Sequence, residues 1–196
     1  SLIARFYDLF DYEKVKVHNL YGPTECAVDV TYYDCIPSDC DPVPIGKPIY
    51  NTQMYVVDKN NTLLPVGVKG ELCIAGVNVG QGYLNNDKLT NEKFIDNPFG
   101  VGKLYKTGDL AYWRQDGNIC YVGRKDNQIK LNGQRIEIGE IETVINSINS
   151  VEAVAVIVRK NNAIDTLVAF YTGESQIEAE ILQYCRNKLP KYMVPS

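Results

Sequence analysis

The stretch NLYGPTE, residues 19–25, gathers several kinds of recognition group around one tight turn. Asn19 brings an amide, Tyr21 an aromatic face, Thr24 a hydroxyl and Glu25 a carboxylate. Gly22 lets the backbone come close to a ligand, and Pro23 fixes the turn. A tyrosine face can stack on a base, which suits adenine. A hydroxyl beside a carboxylate suits a phosphate and its Mg²⁺, an ion that prefers oxygen ligands. A plain strand-linking turn, with a capping threonine and a solvated glutamate, uses the same residues without any ligand.

Two further stretches invite a chemical reading. Thr107-Gly108-Asp109, inside YKTGDLAYW, reads as a loop entering a strand. A carboxylate there can accept both hydroxyls of a ribose, or it can simply bond its own backbone as a turn residue. The segment YVGRKDNQIKLNGQRIEIGEIE, 121–142, alternates charge with apolar residues. Arg124, Lys130 and Arg135 supply cations; Asp126, Glu137, Glu140 and Glu142 supply anions. A hairpin with one wet face gives the same pattern. GVNVGQG, 76–82, lacks the GxxxxGK[ST] spacing of a phosphate loop and reads as a strand-end turn.

The elements that must carry these residues follow from periodicity. Leu2, Ile3, Phe6, Leu9 and Phe10 predict a helix over 2–10. From 26 to 123 the texture is β, in VDVTYY, QMYVVD, ELCIAG, LAYW and NICYVG. Asp116-Gly117 and Asn132-Gly133 each predict a hairpin turn. Ile141, Val144, Ile145 and Ile148 share one helical face. Two strands follow, AVAVIV and TLVAFY. A second helix, about 175–189, stacks Ile177, Ile181, Leu182, Cys185 and Leu189, and Pro190 ends it.

Composition bounds the rest. The 196 residues are 45% hydrophobic and 22% charged, with net charge −4 and no basic run. Bulk charge therefore gives no route to nucleic acid or to a membrane surface. No apolar run is long enough to span a bilayer, and no signal peptide pattern opens the sequence. Six cysteines, at 26, 35, 40, 73, 120 and 185, form no CxxC pair, and His18 is the only histidine. That spacing argues against zinc and for reduced, buried thiols in a cytoplasmic protein.

Order and spacing say more than any motif alone. NLYGPTE, GELCIAGVNVGQGYLN, LYKTGDL, GRKDNQIKLNGQRIEIGEIE and LPKYMVPS, in that order, resemble the adenylate-forming superfamily. Within it the sequence is most similar to the amino-acid-activating (adenylation) domain of nonribosomal peptide synthetases. The resemblance runs along nearly the whole chain.

The resemblance implies an α+β fold. Residues 1–125 would be the distorted β-barrel-like end of a large core subdomain. Residues 126–196 would be a small mobile subdomain of hairpin, mixed sheet and helices, hinged at Asp126. It implies activation of an amino acid with ATP and Mg²⁺ to an aminoacyl-adenylate. The acyl group would then pass to the phosphopantetheine thiol of a peptidyl carrier domain. Asn19 would lie at the adenine edge and Tyr21 on its face, with Gly22 in the turn beneath. Thr24 would meet the phosphates, and Glu25 the metal. Asp109 would hold the ribose hydroxyls, flanked by Tyr121 and Arg124. Lys130 and the Asn132-Gly133 turn would enter the site in the second half-reaction, where the family usually has a basic residue at the position of Asn132.

Leu20, Val28 and Asp29 would wall the substrate side-chain pocket. Asp29 then points to a polar or cationic amino acid, since a pocket carboxylate must be paired. The family's phosphate loop and its aspartate for the α-amino group lie upstream of these motifs, and its final lysine lies downstream. The isolated chain is therefore expected to lack activity and to work with the upstream part of the same domain. Two other readings stay open: an acyl-CoA synthetase-like enzyme, and a non-catalytic docking fragment.

Overall fold

Apolar alternation between Val17 and Arg124 builds two antiparallel sheets in a first unit, residues 1–125; a second unit covers 126–196. The computed structural model describes residues 2–39, 42–125, 128–131, 134–159, 165–175 and 177–195, with the backbone alone for Gln128, Lys130 and Arg135. Helix α1 (Leu2–Tyr7) is shorter than the periodicity predicts. The N–H groups of Leu9 and Phe10 both return to the Phe6 carbonyl, at 3.0 and 3.1 Å, and close a turn. Leu2 and Leu9 are exposed, so burial does not extend the helix.

The first sheet has the order β1 (Val17–Tyr21), β2 (Thr31–Cys35), β3 (Lys47–Pro48). Along β1 the strand period of two sorts the side chains. Asn19 and Tyr21 are half-buried on one face, while His18 and Leu20 are exposed on the other.

The second sheet contains β4 (Thr52–Val57), β5 (Gly70–Gly76), β6 (Phe94–Asp96), β7 (Lys103–Trp113) and β8 (Ile119–Arg124). Its order is β4-β5-β7-β6, and β8 also pairs with β7. The run Gly70–Ala75 is buried throughout, as suits a central strand covered on both faces. The short helix α2 (Asp87–Lys93) and β6 carry too few buried residues to announce themselves in sequence. Asn86 caps α2 by accepting the Leu89 N–H at 3.1 Å.

The hairpin between β7 and β8 turns where Asp116-Gly117 predicts it. Arg114 N–H meets the Asn118 carbonyl at 2.8 Å, and Gly117 takes φ +77°. That left-handed position is what glycine supplies there. Leu72, Ile74, Tyr105 and Ile119 fill the core between the elements of this unit. Each such fully buried apolar side chain contributes about 1.5–3 kcal/mol.

One expectation is corrected here. Thr107-Gly108-Asp109 is not a loop before a strand; it lies inside β7. The pairing of β5 with β7 slips at this point, from Cys73↔Lys106 to Glu71↔Leu110. The extra β7 residues form a bulge, and Gly108 adopts φ +74°. The sequence looks loop-like because a bulge needs a glycine, while the flanking pairing is set by a distant strand.

The second unit pairs β9 (Gln128–Leu131) with β10 (Gln134–Glu137) as a hairpin. Then come α3 (Ile138–Asn146), β11 (Val151–Arg159), β12 (Thr166–Gly173) and α4 (Glu178–Lys188). Ile136 of β10 lies buried in one core with Ile141, Ile145, Ile181 and Cys185, the last four from the helix faces that their 3.6-residue spacing assigns. Asp126 and the Asn132-Gly133 turn lie outside the described residues. Among the described residues no helix is long and apolar enough to cross a membrane. Cys26, Cys35, Cys73, Cys120 and Cys185 are buried free thiols; Cys40 lies outside the described residues.

Candidate functional site

The β7 bulge and the end of β1 meet at Asp109. Asp109 is 8% exposed, and among the described residues its carboxylate accepts two hydrogen bonds. The Tyr21 hydroxyl donates to Oδ2. Arg124 Nη1 donates to Oδ1 at 3.1 Å. Arg124 faces Asp109 because β8 pairs with β7 in that register, Asp109↔Arg124. The same guanidinium nitrogen also reaches the Thr107 carbonyl at 2.9 Å. An ionised carboxylate offers about four acceptor positions, so two donors do not saturate it. Tyr121 stands three residues before Arg124 on β8, with its ring centroid 6.4 Å from that of Tyr21. Burial, with the Asp109 charge next to it, pushes the Tyr21 phenol well above its ordinary value. Tyr21 therefore stays a neutral donor at physiological pH.

The turn after β1 is closed by its own backbone. Val30 N–H returns to the Tyr21 carbonyl at 2.8 Å. Gly22 packs against the backbone of Val28 and Asp29; an added Cβ would meet the Val28 carbonyl carbon at 2.7 Å. No other residue type fits there. Thr24–Cys26 form one 3₁₀ turn, which ends at Ala27 with φ +57°. Val28 follows at φ +76°, a costly conformation for a β-branched residue. Thr24, Val28 and Asp29 are exposed at this turn. Asn19 is oriented from the side, its Nδ2 donating to the Pro44 carbonyl at 2.8 Å.

Glu25 is held by the segment after β5. Tyr83 donates its hydroxyl to Glu25 Oε1 at 2.8 Å, and Gly80 N–H donates to the Glu25 carbonyl at 2.8 Å. The Tyr105 hydroxyl lies 3.4 Å from that of Tyr83. Burial, then the contacts with Tyr83 and Glu25, raise the Tyr105 phenol. Burial, then the Glu25 charge, push the Cys26 thiol up to about 12. Among the described residues no group of three or more His, Cys, Asp or Glu side chains could hold a metal ion. A single carboxylate still fits Mg²⁺ that arrives on a nucleotide's phosphates, because that ion keeps water and phosphate oxygens as its main ligands.

The structure thus brings Tyr21, Asp109, Tyr121 and Arg124 together, with Gly22 and Asn19 adjoining on β1 and its turn. Thr24 and Glu25 stand on the next 3₁₀ turn. Leu20 is on the opposite face of β1 from Tyr21 and is exposed, as are Val28 and Asp29. Lys130 belongs to β9, and its side chain lies outside the described residues, as does Asp126. Sequence reasoning missed Tyr83, and it took Thr107 only as part of a loop. GVNVGQG, read there as a turn only, turns out to brace Glu25 through Gly80 and to lead into Tyr83.

Residues 1–84 match the family model described as AMP-binding enzyme, and residues 140–196 match AMP-binding enzyme C-terminal domain. The chain is 48% identical over 199 residues to zwittermicin A synthase ZmaJ of Bacillus cereus, covering 99% of this chain and 38% of that protein. It is similar to the structure of PA1221, an NRPS protein containing adenylation and PCP domains. That match has a TM-score of 0.80 and 27% identity, over 94% of this chain and 38% of that one. It is similar too to the Vibrio cholerae adenylation domain AlmE, crystallised in complex with glycyl-adenosine-5'-phosphate. There the TM-score is 0.82 and the identity 31%, over 93% of this chain and 36% of that one. The chain spans less than two fifths of each of these three proteins. Matched by both family models and by relatives along its whole length, the chain belongs to the AMP-binding enzymes, among the adenylation domains of nonribosomal peptide synthetases.

Proposed function

We propose that this chain is part of an enzyme that activates an amino acid with ATP, giving an aminoacyl-adenylate and pyrophosphate. The acyl group then passes to the phosphopantetheine thiol of a carrier domain. The observation that carries this reading is the convergence of Tyr21, Asp109, Tyr121 and Arg124. An acidic group with acceptor capacity to spare suits the two hydroxyls of a ribose, and aromatic faces beside it suit a base. The AlmE complex, with an aminoacyl nucleotide bound to a domain of the same fold, supports the same ligand class.

In this reading Asn19, oriented by Pro44, meets the edge of the adenine and Tyr21 its face. Tyr121 and Arg124 flank the ribose that Asp109 holds. Thr24 donates to phosphate. Glu25, fixed by Tyr83, is the protein's ligand to Mg²⁺, which supplies charge neutralisation at the phosphates when bound. Leu20, Val28 and Asp29 form a wall of the amino-acid pocket, and Asp29 selects a polar or cationic side chain. Residues 1–125 are the barrel-like end of the core subdomain. Residues 126–196 are the mobile subdomain, pivoting at Asp126 so that Lys130 and its hairpin enter the site in the second half-reaction. The upstream part of the domain completes the site. The carrier domain is the macromolecular partner, and the enzyme works in the cytoplasm.

Pyrophosphate exchange by the full-length protein tests this. An amino acid, chosen from a panel, should drive exchange, and Asp109→Ala should raise the KM for ATP at least tenfold. Exchange driven by fatty acids instead would assign an acyl-CoA synthetase-like reaction. No exchange with any acid would leave a docking role.

A further inference from the structure

Glu71 is a buried carboxylate in the middle of β5, and the site described above does not use it. Burying a charge is costly unless it is paired and hydrogen-bonded. Among the described residues, its partners lie on β7, which carries Asp109, and just after β8, which carries Arg124. Oε1 accepts the Gly108 N–H at 3.3 Å, inside the β7 bulge. Oε2 accepts from Lys125 Nζ at 3.0 Å, with Lys106 Nζ 3.9 Å away. Lys125 N–H in turn donates to the Gly108 carbonyl at 2.8 Å. Both backbone groups of Gly108 are therefore held by Glu71 or by the lysine it pairs with.

The bulge needs such a fastening. Where β5 and β7 slip register, the ladder leaves bulge N–H groups without a cross-strand carbonyl. Thr107 Oγ1 takes the Asp109 N–H at 2.9 Å while donating to the Leu72 carbonyl. Glu71 takes the Gly108 N–H. With both amides satisfied, the Asp109 side chain is aimed at Tyr21 and Arg124 rather than free to rotate.

We infer that Glu71 is a positioning residue: it fixes the bulge that aims Asp109 and so sets how strongly the enzyme distinguishes ribose from deoxyribose. This rests on the reading of Asp109 as the ribose carboxylate. Glu71 touches no substrate; it acts through Gly108 and Asp109. The ionic partner Lys125 is the last residue of the first unit, so the same carboxylate also fixes the backbone where that unit ends.

The test compares ATP with 2′-deoxy-ATP in pyrophosphate exchange by the full-length enzyme. The wild type should prefer ATP, and Asp109→Ala should abolish the preference. Glu71→Gln, nearly isosteric, should raise the ATP KM and cut the preference by about fivefold, with kcat moving less than twofold. Lys125→Met, at a partly exposed position, should cut it about twofold, and the double variant should fall no further than Glu71→Gln alone. If Glu71→Gln fails to fold, Lys125→Met decides. A folded Glu71→Gln or, failing that, Lys125→Met with the wild-type preference would overturn the inference. A wild type with no preference, or an Asp109→Ala variant that keeps it, would instead overturn the ribose reading beneath it.

Discussion

The hydroxyl of Tyr21 donates to the carboxylate of Asp109 across a separation of 88 residues. This contact ties the turn that carries Thr24 and Glu25 to the bulged strand that carries Asp109. Two motifs far apart in the chain become one surface.

Tyr21→Phe removes that donor and leaves Arg124 on the other carboxylate oxygen. Losing a buried hydrogen bond to a charged group should cost about 1.5–3 kcal/mol of stability. The pH dependence has a definite sign. The folded phenol titrates above its ordinary value of 10.0. Its contribution is complete below that value and is lost as pH rises toward the folded one, since the unfolded chain gives up the proton first. In urea denaturation at pH 8 and pH 11, wild-type stability should fall more steeply than that of Tyr21→Phe. Parallel losses would contradict the burial of this phenol.

Gly22→Ala places a methyl group against the backbone of Val28 and Asp29, which cannot yield as a side-chain tip would. Overpacking of this kind costs about 1–3 kcal/mol. Thermal melting should record it, and nucleotide affinity should fall with it, because Tyr21 adjoins the turn. A variant as stable as the wild type would show that the turn is looser than described.

Tyr83→Phe leaves Glu25 without its 2.8 Å phenolic donor. Residues that orient a metal ligand change metal affinity by about tenfold or more when removed. The Mg²⁺ concentration for half-maximal pyrophosphate exchange should rise by about tenfold, with little change in melting temperature. An unchanged Mg²⁺ requirement would take Glu25 away from the metal.

Much of this was legible in sequence because it is local. Ile141 and Ile145 mark the buried face of α3 by spacing alone, and Asp116-Gly117 marks its hairpin by turn chemistry. The adjacency of Tyr21 and Asp109 came from motif order, not from periodicity. What stayed hidden is non-local. The TGD segment reads as a loop until β5 supplies the slipped register that makes it a bulge. Glu71 looks like the one polar residue of an apolar strand; its ammonium partner, Lys125, lies 54 residues away. Tyr83 follows a glycine-rich turn, and only the fold brings its hydroxyl to Glu25.

The most direct test is a crystal structure of the full-length enzyme with a non-hydrolysable aminoacyl-adenylate analogue. Both ribose hydroxyls should lie within hydrogen-bond reach of the Asp109 carboxylate, about 2.5–3.0 Å, with the adenine against the Tyr21 ring. A nucleoside bound elsewhere, with Asp109 contacting only Tyr21 and Arg124, would contradict the account.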